Sequence, residues 1–200
     1  VVSSEARRAG KPFWAFTLST PHFYYPMPDI SHLRLQLYAD LAYGAQLLQY
    51  FTYWNPQPHE GDYHEAPINQ FGKRSPMYEI VRDMNREIQA RARGFLGCSV
   101  QSVFHTGDEI PEGTTRLKEL PPRFLEFDTQ GKGALVSNIS NKGKRYVIVQ
   151  NTSVKEDLPI RITTDNMVKM ILRDGAEEYA YKYGPLFIIP KGDVLVFEIL

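Results

Sequence analysis

The chain has 200 residues, with 23 Lys and Arg against 23 Asp and Glu, 42% hydrophobic residues and a single cysteine. The balanced charge provides no basic face for nucleic acid or an anionic membrane surface. A lone Cys98 excludes an internal disulfide and argues against a cysteine zinc site, and no apolar run approaches the ~20 residues of a membrane span.

In chain order, residues 1–10 read as the tail of a helix, with Glu5, Arg7 and Arg8 on a polar face and Gly10 just past its end. Residues 11–20 (KPFWAFTLST) form an apolar run that suits a buried strand. A loop with Tyr24, Tyr25 and several prolines follows. Ser31 is placed to cap a helix in which Leu33, Leu37 and Leu41 recur on one face, and Gly44 stops it. Residues 45–54 (AQLLQYFTYW) read as a second strand, and 55–74 as a polar loop. Ser75-Pro76 is a strong helix start, followed by Met77, Ile80, Val81, Met84 and Ile88 at helical spacing, with Gly94 or Gly97 at the end. Two strand–helix units with short returns predict parallel neighbouring strands.

After Cys98 the pattern changes to short β-rich runs at 99–105, 124–128, 134–139, 146–151, 158–163, 168–172, 186–189 and 194–200. Turn signals such as Asn141-Lys142-Gly143 and Lys191-Gly192-Asp193 separate them. Their spacing predicts an antiparallel β-sandwich or small barrel over residues 98–200, after an α/β part over residues 1–97. The fold expected is therefore α/β followed by all-β.

Two parallel strands alone would leave both edges unpaired and their apolar faces poorly covered, so partner strands are expected on a longer or partner chain. The order KPFWAFTLSTPH, a Leu-rich helix ending LAYGAQ, LLQYFTYW and a loop with His and Glu resembles the last two strand–helix units of clan A glycoside hydrolases. The likeness is to family forty-two β-galactosidases and related (β/α)8, or TIM, barrels. The sequence from residue 98 on is similar in style to the β-sandwich that trails many such enzymes. Closure of the two strands into a complete small sheet by residues 98–200 would contradict a barrel end, as would strands solvent-exposed and unpaired at both edges.

The resemblance implies an active site at the C-terminal ends of the strands. It implies that Trp54, beside Tyr53, forms a platform under a sugar ring; from the residues themselves, His22, Tyr24 and Tyr25 of the first loop and His59 and His64 of the polar second loop are expected as further carbohydrate contacts. Aromatic rings suit this role, because a pyranose has an apolar face. It also places the nucleophilic Glu of retaining enzymes near Thr17, yet no acid occurs between Lys11 and Pro28. Glu60 and Glu65 are then the candidate working carboxylates within the chain, which by itself is expected to be inactive. His59 and His64, five apart in a loop, match no standard zinc spacing, and neither metal nor cofactor is expected. Three readings compete: part of a glycoside hydrolase, a carbohydrate-binding or degenerate barrel, and a structural or interaction module. The expected partner is carbohydrate. A soluble parent protein is expected, with a periplasmic or extracellular location open.

Overall fold

The structure, a computed structural model, describes residues 1–56 and 61–200. The first half runs α1 (Val2–Arg8), β1 (Trp14–Leu18), α2 (Ile30–Ala42), β2 (Leu47–Phe51) and α3 (Pro76–Phe95). Asp29 rather than Ser31 caps α2, its carboxylate accepting from the Ser31 and His32 N–H groups at 2.9 and 3.1 Å. An ionised carboxylate is a stronger acceptor than a hydroxyl at this place. Burial pushes the Asp29 pKa up, but hydrogen bonds from Ser31 and His32 outweigh it and hold the group at about 2. Ser75 caps α3 as expected, with Pro76 in the first turn. That helix runs through Gly94 to Phe95, and Gly97 follows in the left-handed region.

β1 and β2 pair in parallel, Trp14 opposite Leu47 through Leu18 opposite Phe51. Residues opposite each other in a parallel pair share a face, so Ala15 and Thr17 lie with Leu48 and Tyr50. This face is the covered one: Leu48 and Tyr50 pack into the core of α2 and α3, and Tyr50 Oη donates to Asn85 at 2.9 Å. The other face carries Trp14, Phe16, Leu18, Leu47, Gln49 and Phe51, with Trp14 63% and Phe16 68% exposed. Among the described residues neither strand pairs with any third strand, and none of residues 98–200 closes the sheet. The pair thus meets half of the contradicting condition: its outer edges are open, but one face is buried.

The second half contains β3 (Ser99–His105), β4 (Phe124–Asp128), β5 (Ala134–Asn141), β6 (Lys144–Asn151), β7 (Leu158–Thr164), β8 (Val168–Ile171), β9 (Glu177–Tyr179), β10 (Leu186–Ile189) and β11 (Val194–Ile199). They form two antiparallel sheets, β3-β5-β6-β11-β8-β9 and β10-β7-β4. The sheets stack face to face in a sandwich, with Val136, Val147, Val149 and Phe197 of the larger meeting Phe124, Ile160, Ile162 and Phe187 of the smaller. All eight expected β runs are strands. β9 and a 3-10 helix at Ala180–Tyr183 are additional, since the exposed Glu-Glu-Tyr of β9 has no apolar alternation to announce it.

The larger sheet is buried on both faces. Its second face sets Leu135, Ile139, Ile148 and Val196 against Leu33, Leu37, Tyr38, Met77 and Met84 of the helices. Polar residues in that interface serve helix ends, whose last carbonyls lack intrahelical partners. Ser137 Oγ donates to Ala42 O (2.7 Å), and Asn141 Nδ2 donates to Arg93 O and Leu96 O (both 2.8 Å). Glu87 accepts from Tyr38 Oη (2.8 Å) and pairs with Arg34 (2.9 Å) and Arg91 (3.3 Å), all largely buried. Gly192, at φ +65, turns the chain against α2, where a Cβ would collide with the Ser31 carbonyl oxygen. Among the described residues no helix is long and apolar enough to cross a membrane.

Candidate functional site

Small hydroxyl residues fasten the C-terminal ends of β1 and β2. The Ser19 and Thr20 N–H groups both donate to Phe51 O (3.0 and 3.1 Å), and Thr52 N–H donates to Thr20 Oγ1 (3.0 Å). This crossing fixes where the two following loops emerge, side by side. Phe23 N–H donates to Gly61 O (2.8 Å), and Asn55, only 3% exposed, donates from Nδ2 to Tyr63 O (2.9 Å) and accepts from Ala66 N–H (3.3 Å). Gly61, at φ +118, is required here, because a Cβ would lie 2.9 Å from the Phe23 ring and 3.0 Å from the Tyr63 ring.

The loops assemble an aromatic group around His22. Its ring stacks on Tyr63 with centroids 4.9 Å apart at 22°, and lies 5.0 Å from Tyr25, 5.4 Å from Phe51 and 5.8 Å from Phe23. His22 Nδ1 lies 2.9 Å from Thr20 O, and His64 Nδ1 lies 2.7 Å from Asp62 O. A carbonyl only accepts, so each Nδ1 carries a proton directed at it.

The expected contacts are therefore gathered only in part. His22 and Tyr25 share one aromatic group with Tyr63, Phe51 and Phe23, none of which sequence reasoning singled out, and only Tyr63 is stacked on the His22 ring. Tyr24 is wholly exposed and outside it. Tyr53 is exposed on the β2 side, next to Trp54. Trp54 forms a bridge with Ile68, and its indole N–H donates to Asn69 O at 3.0 Å. Trp54 is 48% exposed, and its indole N–H is already occupied. His64 is exposed on the return loop, bound to the first loop through its N–H and Pro21 O (3.4 Å).

Glu65 is exposed, has φ +52 and accepts from Ser75 Oγ through its backbone carbonyl (3.4 Å). His59 and Glu60 lie outside the described residues. Thr17 is fully buried on the helix side of β1, its Oγ1 without a partner among the described residues. Its side chain therefore lies on the sheet face opposite Trp14 and Phe16. Among the described residues no group of three or more His, Cys, Asp or Glu could hold a metal ion. The signal that could have found the missed residues is Asn55, a polar residue ending an apolar run, together with the Gly61–Tyr63 spacing that brings a ring onto the preceding loop.

No protein-family model and no curated protein matches the chain. Among solved structures it is similar to the gamma-CGTase from Alkalophilic bacillus clarkii, at 14% identity and a TM-score of 0.40 over 94% of this chain and 26% of that one. The chain thus spans about a quarter of that protein's length.

Proposed function

We propose that this chain is the last two strand–helix units of a (β/α)8 barrel with a trailing β-sandwich, and that the loops after β1 and β2 receive an uncharged sugar. The observation that carries the reading is the set of aromatic residues at the C-terminal ends of two parallel strands: the group around His22, and Trp54, which is half exposed. Strand C-termini are where parallel α/β layers place ligands. Apolar ring faces beside the polar imidazoles of His22 and His64 match the mixed apolar and hydroxyl surface of a pyranose. The uncovered Trp14 and Phe16 face supports further α/β units, on a longer or partner chain, as its cover.

Hydrolysis of a glycosidic bond needs two carboxylates. No acid lies between Lys11 and Pro28, so the reaction would draw on Glu60, Glu65 or acids of the remaining polypeptide. The acid-free β1 favours a second reading, a barrel that binds sugar without cutting it. Native-gel retention by soluble neutral polysaccharides tests the binding reading. Trp54→Ala is expected to weaken retention at least tenfold, and equal retention of both proteins would overturn the platform. Turnover of aryl glycosides by the parent protein, with Glu60→Gln and Glu65→Gln, separates the two readings: turnover unchanged by both substitutions removes these residues as working acids.

A further inference from the structure

The larger sheet of the sandwich ends in a polar hollow that shares no residue with the loops after β1 and β2. Along one face of β5 the residues change character: Ala134 and Val136 lie in the core between the two sheets, while Asn138 and Ser140 beyond them are polar and half-buried. A hollow of about 530 Å³ opens over this end, with Val147 and Ile199 as its floor and Pro122 at its side. That volume lies within the ~300–1,000 Å³ range of small-molecule sites.

Register decides which side chains face it. Ser140 stands opposite Arg145, and Arg145 opposite Ile199, so the three form one row across β5, β6 and β11. In β3 the register shifts between Val100 and Ser102, a bulge that sets Gln101 and Ser102 on the same face as Ser140 and Asn138. Gln101 Nε2 donates to Ser140 Oγ at 3.0 Å and to Ser99 O at 3.4 Å, which uses both amide hydrogens and leaves Oε1 to accept. Ser140 Oγ accepts there and keeps its own proton to donate. Arg145 is exposed, and its guanidinium has no hydrogen-bond or ion-pair partner among the described residues. Its neighbour Lys144 turns to the opposite face and pairs with Glu198 at 2.6 Å. None of the described residues lining the hollow is acidic.

We infer that this hollow binds a carboxylate-bearing pyranose, a uronate unit, through Arg145, Ser140 and Gln101. The carboxylate pairs with Arg145, whose planar fork matches its two oxygens. Ring hydroxyls both donate and accept, so they satisfy the free Gln101 Oε1 and the Ser140 hydroxyl together. The C–H face of the ring lies against Pro122 and Ile199. Gln101 Oε1 also disfavours a bare anion: sulfate has only acceptor oxygens and no hydrogen to offer it. The site goes beyond the neutral-sugar surface proposed above and does not rest on it.

The test is an amide NMR titration of the 200-residue chain with the methyl glycosides of glucuronate and galacturonate. The methyl ester of each, with the same ring and no charge, is the comparison. Saturable shifts in residues 99–102, 138–141 and 144–146 are expected with at least one uronate, weakening as salt rises. Esterification and Arg145→Gln should each lower affinity about fivefold or more, and Ser140→Ala about twofold. Thermal melting of Arg145→Gln should match that of the parent, since the side chain is exposed. The inference is overturned if neither uronate gives saturable shifts, if the esters bind as well as the acids, or if Arg145→Gln binds unchanged. It is also overturned if sulfate or acetate reproduces the shifts, which would mark a plain anion contact. Shifts confined to the Trp54 indole N–H and the loops after β1 and β2 would overturn it as well, and those same signals judge the first surface separately.

Discussion

The two sheet systems of this protein are built from similar residues and end in opposite states. The larger sheet of the sandwich is covered on both faces, by the smaller sheet and by α2 with α3. The β1–β2 pair is covered on one face only, although its open face is also mostly apolar, Gln49 being the exception. Parallel strands normally lie buried on both sides, and on that ground we propose that the Trp14 and Phe16 face takes a cover from a longer or partner chain. Open strand edges carry less weight: one chain taken alone shows them whether or not other strands complete the sheet. Face composition discriminates where edge pairing does not.

The comparison is sharpest between two phenylalanines. Phe197 is fully buried in the sandwich, and Phe197→Ala should cost about 4 kcal/mol in urea unfolding of the 200-residue chain. Phe16→Ala should change the same chain by less than about 0.5 kcal/mol, because its side chain is largely in solvent. A large loss at Phe16 would show that its face is already covered. Within a polypeptide that supplies the proposed cover, the Phe16 cost should rise toward that of Phe197.

The interface between helices and sandwich should be next in magnitude. Glu87→Ala leaves Arg34 and Arg91 buried without their carboxylate, at about 3 kcal/mol. Glu87→Gln should cost less, since the Tyr38 hydroxyl keeps an acceptor. An equal loss from the two substitutions would assign the effect to volume rather than charge.

A smaller effect comes from Asp40 near the end of α2, whose pKa burial pushes up to about 6 from 3.8. The unfolded chain ionises Asp40 near pH 4, while the folded one keeps its proton until about pH 6. Stability therefore falls as pH rises between those values, and the deficit persists above them. Asp40→Asn should stabilise the protein at pH 8 by about 1 kcal/mol after allowance for partial solvent screening, and by almost nothing near pH 3. A benefit that grows toward acid pH would have the wrong sign.

Much of the fold was legible where local physics decides. Ser75-Pro76 starts α3, apolar alternation marks the sandwich strands, and short returns give the parallel β1–β2 pair. Asp29 displaced Ser31 as a cap because the stronger acceptor lay two residues earlier. Ser137, Asn141 and Gln150 looked like ordinary strand residues, and their service to helix carbonyls exists only once the sheet docks on α2 and α3. The site divides in the same way. Aromatic crowding pointed to the strand ends, but the stacking of Tyr63 on His22 depends on two loops crossing. Tyr24, adjacent to Tyr25 in sequence, faces the solvent instead.

The most direct measurement is a fluorescence titration of the Trp14→Phe chain, in which Trp54 is the remaining tryptophan, with neutral oligosaccharides. A saturable change in Trp54 emission is predicted, weakened by His22→Ala, which removes the centre of the neighbouring stack. Absence of any saturable change, or sugar binding that leaves Trp54 emission unaltered, would contradict a sugar site at the ends of β1 and β2.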